Sequence, residues 1–172
     1  MAETLAPCSA FVATLDVAVE GARLTEAPAR TLHHVALVAD PSGLPGPGRA
    51  AEEGGLTFLP LGPGQWLAIG DGGALAARLP SAALTDVSDG HVPLLLEGPK
   101  ARDVLARLSS LDYEAFPPGA VARTLMMQLA ATIRRLPDGP AGPAYALEVA
   151  RSSARSFVHH VEEAMRAVAA RG

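Results

Sequence analysis

Between Leu84 and Leu136 the chain breaks into short apolar runs, each closed by turn residues, and that punctuation limits what it can fold into. A strand is read over Leu84–Val87, turning at Ser88-Asp89-Gly90. A second apolar run, Val92–Leu96, stops at Glu97-Gly98-Pro99, and a helix follows from about Lys100 to Leu108. The elbow Phe116-Pro117-Pro118-Gly119 then feeds a long strand-like segment. Gly and Pro punctuate because one supplies positive φ and the other fixes φ and removes a donor.

The flanks follow the same grammar. Residues 1–30 are weakly patterned; Phe11, Val12, Leu15 and Val19 read as one face of a short helix, with Gly21 and Pro28 as breakers. Thr31–Ala39 is β-branched and aliphatic and reads as a strand. Its adjacent His33 and His34 point to opposite faces and do not chelate one metal; one is expected inward and hydrogen-bonded, the other exposed. Asp40–Gly48 is a loop by composition. Leu56–Leu59 and Gln65–Ile69 are two short strands around Pro60–Gly64, and Ala74–Leu79 is a helix. Trp66, the sole Trp, is a core plug or an interface anchor.

Pro137–Pro143 joins two strands, Ala130–Leu136 and Tyr145–Val149. In a terminal helix from about Ser152 to Ala170, Phe157, Val161, Ala164, Met165 and Val168 make one apolar face, with Ser152 or Ser153 as N-cap. Strands and hairpins interleaved with helices give an α+β class: antiparallel sheets with helices on one face, in two split-βαβ-like halves. At 172 residues, 1–172 reads as a single domain large enough to fold without disulfide or metal.

Composition narrows function. Net charge is −4, no basic cluster exceeds Arg134-Arg135, and aromatics are few, so nucleic-acid binding is disfavoured. No apolar run approaches a membrane span, and no basic stretch precedes an apolar core at the N-terminus, so a cytoplasmic protein is expected. The single cysteine, Cys8, reads as a small apolar filler or tail residue. A hydrophobic fraction of 49% leaves two readings, an apolar surface kept for a partner or simple alanine richness.

Catalytic signatures are absent. Gly70-Asp71-Gly72-Gly73 precedes a helix but has Leu75 where a dinucleotide fingerprint needs its third glycine. There is no Gly-x-Ser-x-Gly elbow, and no zinc, calcium or iron–sulfur spacing. His159 and Glu163 lie one turn apart and read as a solvated pair. Asp86, Asp89 and His91 form the densest titratable cluster; Asp89-Gly90 is hairpin chemistry, and Asp86 or Ser88 bonds turn amides.

A set of short motifs nevertheless carries a family likeness. These are Thr85-Asp86-Val87-Ser88, the Gly98–Leu105 run, Leu111-Asp112, the Phe116–Gly119 elbow and Ala122-Arg123-Thr124-Leu125. Upstream stands Leu61-Gly62-Pro63-Gly64-Gln65-Trp66-Leu67, and downstream Ser156-Phe157 before the terminal helix. Over about residues 56–168 the chain resembles the gamma subunit of heterotetrameric sarcosine oxidase and related secondary-amine oxidoreductases, and more distantly the folate-binding domain of the glycine-cleavage T-protein. It departs at His91-Val92, Ser109-Ser110 and Met126-Met127, where that family usually has Arg-Thr, a Cys-Pro and a small-residue turn.

The resemblance implies a T-protein-like fold and a chain with no catalytic residue and no cofactor of its own. FAD, FMN, NAD, tetrahydrofolate and zinc are then expected in partner alpha, beta and delta subunits. It also marks Trp66, Asp86, Ser88, Arg102, Phe116 and Arg123 as interface or turn positions. The alternative it leaves open is a stand-alone tetrahydrofolate-binding protein using a cleft near Asp86 and Trp66.

Overall fold

A computed structural model describes residues 9–11, 13–38 and 43–171. Cys8, Val12 and Asp40-Pro41-Ser42, discussed above, lie outside the described residues. The chain is α+β, with two wholly antiparallel sheets. Its strands are β1 Asp16–Val19, β2 Ala22–Glu26, β3 Leu32–Ala36, β4 Ala51–Glu53, β5 Leu56–Gly62, β6 Gln65–Ile69, β7 Ala83–Asp86, β8 His91–Glu97, β9 Val121–Met126, β10 Leu129–Arg135 and β11 Ala144–Ala150. Helices α1 Gly72–Arg78, α2 Ala101–Leu108 and α3 Ala154–Ala169 follow β6, β8 and β11 respectively.

The six-stranded sheet runs β1-β2-β8-β11-β10-β9 and the five-stranded sheet β4-β5-β6-β3-β7. Antiparallel pairing on both sides of β3 makes β6 and β7 parallel to each other, joined through α1: a split β-α-β unit. In the larger sheet β8 and β10 are likewise parallel on either side of β11, joined through α2 and β9. Both expected halves are therefore present.

Alternation sorts the faces. Val92, Leu94 and Leu96 of β8, with Tyr145, Leu147 and Val149 of β11, meet Val104, Leu105, Phe157, Val161 and Met165 of the two long helices. Under α1 a smaller core gathers Val35, Phe58, Trp66, Leu75 and Leu79. Leu32, Leu59, Leu67 and Val121 fill a narrow apolar seam where the uncovered faces of the sheets meet.

The structure corrects several expectations. The segment holding Leu15 and Val19 is not a helix; Asp16–Val19 pairs with Ala22–Glu26 through a two-residue loop, Glu20-Gly21, with Gly21 at φ +79°. Gly21 is thus a hairpin residue, not a helix breaker. Ser88-Asp89-Gly90 is a 3₁₀ turn and not a hairpin, because β7 pairs with β3 in one sheet and β8 with β2 and β11 in the other. The long strand-like segment is itself a hairpin, β9 turning into β10 at Met127-Gln128. Helix α3 begins after a 3₁₀ turn at Arg151–Ser153, and Ser153 makes no side-chain capping bond. Strand β4, a short edge partner of β5, was not legible beforehand.

Glycine matters most at Gly98. Its φ is +125°, and a Cβ there would lie 2.5 Å from the Gly21 carbonyl oxygen. The same carbonyl accepts from the Lys100 amide at 2.8 Å, which seats the first hairpin on the entry to α2.

Candidate functional site

A concavity of about 1240 Å3 opens where four segments converge. They are the N-terminal stretch at Ser9 and Phe11, the β2–β3 connection, the β7–β8 crossover and the turn at Arg151. The crossover is built from side-chain chemistry. Asp86 Oδ1 accepts from the Ser88 amide at 2.9 Å and from the Ser88 hydroxyl at 2.6 Å, and Ser88 Oγ accepts from the Leu32 amide at 2.9 Å. The two Ser88 donors hold the Asp86 carboxyl below the usual carboxylate range, with a smaller contribution from nearby His33. Asp86 is thereby an ionised turn-former that stitches the end of β7 to the start of β3.

His91 belongs to the same turn and is aimed elsewhere. Its Nδ1 lies 3.1 Å from the Val87 carbonyl; a carbonyl only accepts, so that nitrogen carries the proton. Asp86, Ser88 and His91 share one turn, yet the Ser88 proton goes to Asp86 and His91 bonds backbone, which is not the order of a nucleophile-and-base relay. Asp89 contributes its backbone carbonyl, which accepts from Arg151 Nε at 2.6 Å. Glu26 accepts from the Ser9 hydroxyl at 2.5 Å. Asp86, Ser88, His91, Ser9 and Glu26 are thus engaged within the chain, whereas Arg30 Nε, also on the cleft, is buried without a hydrogen-bond partner among the described residues.

Beneath the cleft lies a charged seam. Arg30, from the β2–β3 connection, pairs with Glu148 on β11, whose side chain is 3% exposed. Glu148 stands between Pro93 and Thr132 in the sheet, on the face turned away from the long helices. Burial, with the positive charge of Arg134 nearby, lowers the Arg30 pKa to about 10. Arg134 in turn reaches Glu52 of β4 at 2.5 Å. Arg30 and Glu148 are 118 residues apart, Arg134 and Glu52 82, so both pairs tie distant parts of the chain. Neither was anticipated; an acid inside the apolar run Tyr145–Val149 was the one available signal of a buried partner.

The remaining marked residues scatter. Trp66 is 3% exposed under α1, its ring N–H donating to the Pro45 carbonyl at 2.9 Å, and it does not line the cleft. The pairing of Asp86 and Trp66 in one binding cleft is therefore corrected: Trp66 pairs with Val35, two residues along β3 from the His33 that pairs with Asp86, and is plugged into the core. Phe116 packs edge-on to Tyr113 at 6.1 Å, and Tyr113 edge-on to Tyr145 at 6.0 Å, so the elbow is anchored in the larger core. Arg102 donates to Glu114 at 2.7 Å; its pKa is raised, first by Tyr145 and then by Glu114. Arg123 is exposed on the outermost strand, β9.

The glycine-rich turn before α1 is closed to a phosphate, because Asp71 Oδ1 accepts from the Ala74 amide at 2.8 Å. His33 is inward, as one of the two histidines was expected to be, but its Nδ1 has no hydrogen-bond partner. His159 Nε2 lies 3.5 Å from Glu163 on the exposed face of α3. Among the described residues no three His, Cys, Asp or Glu side chains gather as a metal site, and no helix is long and apolar enough to cross a membrane.

No protein-family model matches the sequence, and no curated protein matches it. Among solved structures, the chain is similar to a chain of the heterotetrameric sarcosine oxidase from Corynebacterium sp. U-96, solved in complex with pyrrole 2-carboxylate. The TM-score is 0.76 at 22% identity, over 90% of this chain and 89% of that one. The two chains share a fold along nearly their whole lengths.

Proposed function

We propose that this chain is a non-catalytic, gamma-type assembly subunit of a flavin-dependent oxidoreductase acting on a secondary or N-methyl amine such as sarcosine. The observation that carries the reading is the mutual coverage of the fold likeness, 90% of one chain and 89% of the other, with a member of a heterotetrameric sarcosine oxidase. A likeness spanning both chains supports an equivalent place in a similar assembly. The self-engaged cleft residues add to it, since Asp86, Ser88 and His91 are committed to holding the crossover.

In this reading the complex works in the cytoplasm, and alpha, beta and delta partners supply dinucleotide, flavins, folate and zinc. Its chemistry is oxidation of the N-methyl amine to an imine, with the one-carbon unit passed to tetrahydrofolate or released as formaldehyde. This chain contributes packing surface. Co-expression with candidate flavoprotein subunits from the same genome, followed by affinity purification, tests the idea. A flavin-bearing complex of fixed stoichiometry is the expected result; a chain that purifies alone in their presence rejects it.

The cleft beside Asp86 keeps a second reading alive, a free-standing folate-binding protein. Titrating the isolated chain with a reduced folate by calorimetry distinguishes the two. Saturable micromolar binding favours this second reading. Trp66 fluorescence is a poor reporter, because Trp66 is outside the cleft.

A further inference from the structure

We infer that the outer edge of β9, with the turn that follows it, is the docking edge for an extended strand of a larger partner subunit. The inference rests on the assembly reading above and names the surface that serves it. The geometry begins with backbone. Ala122, Thr124 and Met126 face β10, and the two-residue turn closes on the Met126–Leu129 pair. Val121 points the other way, its N–H donating to the Gly48 carbonyl at 2.9 Å. Arg123 and Leu125 share its orientation along the strand. Each therefore presents one donor and one acceptor outward, unmet by any described residue. The edge already receives backbone from outside at its first positions, where Arg49 bridges to Ala120. A partner strand would continue that ladder.

Side chains mark the same place. Leu125 is 62% exposed and Met127 49%, and the only other large exposed hydrophobic among the described residues is Val38. Free edges are ordinarily blunted by charged side chains, proline or a bulge; β9, Val-Ala-Arg-Thr-Leu-Met, has no proline and no bulge, and its one charge is Arg123. The turn adds rigidity. Met127 and Gln128 both sit in the left-handed region, at φ 47° and 67°, where Asn-Gly would make the same turn without strain. The Met127 amide donates to the Leu108 carbonyl at 2.9 Å, locking the tip onto the end of α2. Met127 is thus held out to solvent on a fixed support.

Charge selects the occupant. From Ala115 to Pro137 the sequence has no Asp or Glu, although the whole chain carries −4. Arg134 and Arg135 are engaged by Glu52 and Asp138, whereas Arg123 is exposed with no ion pair among the described residues. The matching strand has a carboxylate opposite Arg123 and apolar side chains over Leu125 and Met127. A second copy of this chain brings a second acid-free, arginine-bearing edge and lacks that complement.

The test uses the chain, tagged and co-expressed with candidate flavoprotein subunits from the same genome, reading flavin absorbance and partner mass in the eluate. Leu125→Pro removes only an outward N–H and leaves the β10 ladder intact; Leu125→Lys serves should the proline variant not fold. Arg123→Glu reverses the selecting charge. Arg123→Glu and the Leu125 variant are each expected to lower flavin recovery about tenfold or more, with far-UV spectrum and Tm unchanged. Val38→Lys is expected to leave recovery at the wild-type level. Wild-type recovery in both edge variants overturns the docking edge while leaving the assembly reading standing. A wild-type chain that recovers no flavoprotein overturns both. A wild-type chain that dimerises alone, and becomes monomeric on Leu125→Pro, overturns the choice of occupant.

Discussion

The two sheets are built to different standards. The six-stranded sheet lies under two helices and a continuous core in which Leu24, Leu94, Leu96, Leu105, Tyr145, Leu147 and Phe157 are all but completely buried. The five-stranded sheet rests on one seven-residue helix and a core one side chain deep around Phe58 and Trp66. A thin apolar seam joins them, reinforced by the Arg30–Glu148 and Arg134–Glu52 pairs. Stability is concentrated in the larger sheet, and the smaller one is expected to open at lower free energy as a unit. A chain acting as a scaffold needs only one such rigid half, and the proposed docking edge lies on it.

The largest effect tests that asymmetry directly. Leu94→Ala and Phe58→Ala each remove a buried side chain at a cost of about 4 kcal/mol. Leu94→Ala is expected to shift Trp66 fluorescence and far-UV melting together, because the larger sheet carries the global fold. Phe58→Ala is expected to separate them, Trp66 reporting an earlier transition than the far-UV signal. Coincident transitions in Phe58→Ala would show the two sheets to be one cooperative unit.

The seam comes next. Glu148→Ala leaves Arg30 partly buried without its carboxylate, at a cost of about 3 kcal/mol. Hydrogen exchange on this variant is expected to accelerate mainly at β3 and β7, beside the β2–β3 connection that Arg30 holds. Uniform acceleration across both sheets argues against a seam with its own weakness. A smaller change, of opposite sign, is expected at the hairpin tip. Met127→Gly relieves a left-handed methionine and is expected to raise stability by about 1 kcal/mol. In the proposed assembly the same change removes an apolar docking contact, so isolated-chain Tm is expected to rise while flavin recovery falls.

How far this architecture was legible depended on whether its cause was local. Strands β5, β6 and β8 and helices α2 and α3 were readable because turn residues and periodicity mark them within a few positions. The β1–β2 hairpin was not: Phe11, Leu15 and Val19 mimic a helical spacing, and β1 buries none of its residues fully. Asp89-Gly90 has the composition of a hairpin, and only the competing partners β3 and β11 reveal a passage between sheets. The motif residues Gly98 and Asp86 were visible, but their reasons were tertiary. Gly98 is needed for the approach of the Gly21 carbonyl, and Asp86 for a Ser88 that reaches back to Leu32. The Arg30–Glu148 pair, 118 residues apart, had no local signal from the arginine side.

Asp86 supplies the smallest and most specific test, because it sits where one sheet passes into the other. Its folded-state pKa is lowered from 3.8 by the Ser88 donors, so its contribution to stability is fully present above that value. The contribution is lost as pH falls through the lowered pKa, when the protonated carboxyl accepts less well from Ser88. Asp86→Asn keeps a carbonyl acceptor for the turn but has nothing to titrate. Its stability is therefore expected to be slightly lower than wild type at pH 7 and to fall less steeply below about pH 4, with the two curves converging in acid. The carboxylate is largely exposed, so solvent screening keeps the difference small, within the range of surface interactions. Denaturant melts from pH 2 to pH 7, run on both proteins, measure it. Parallel curves would mean that the crossover is held by the backbone bond from Val87 to Leu32 alone, and that the joint between the sheets has no acidic trigger.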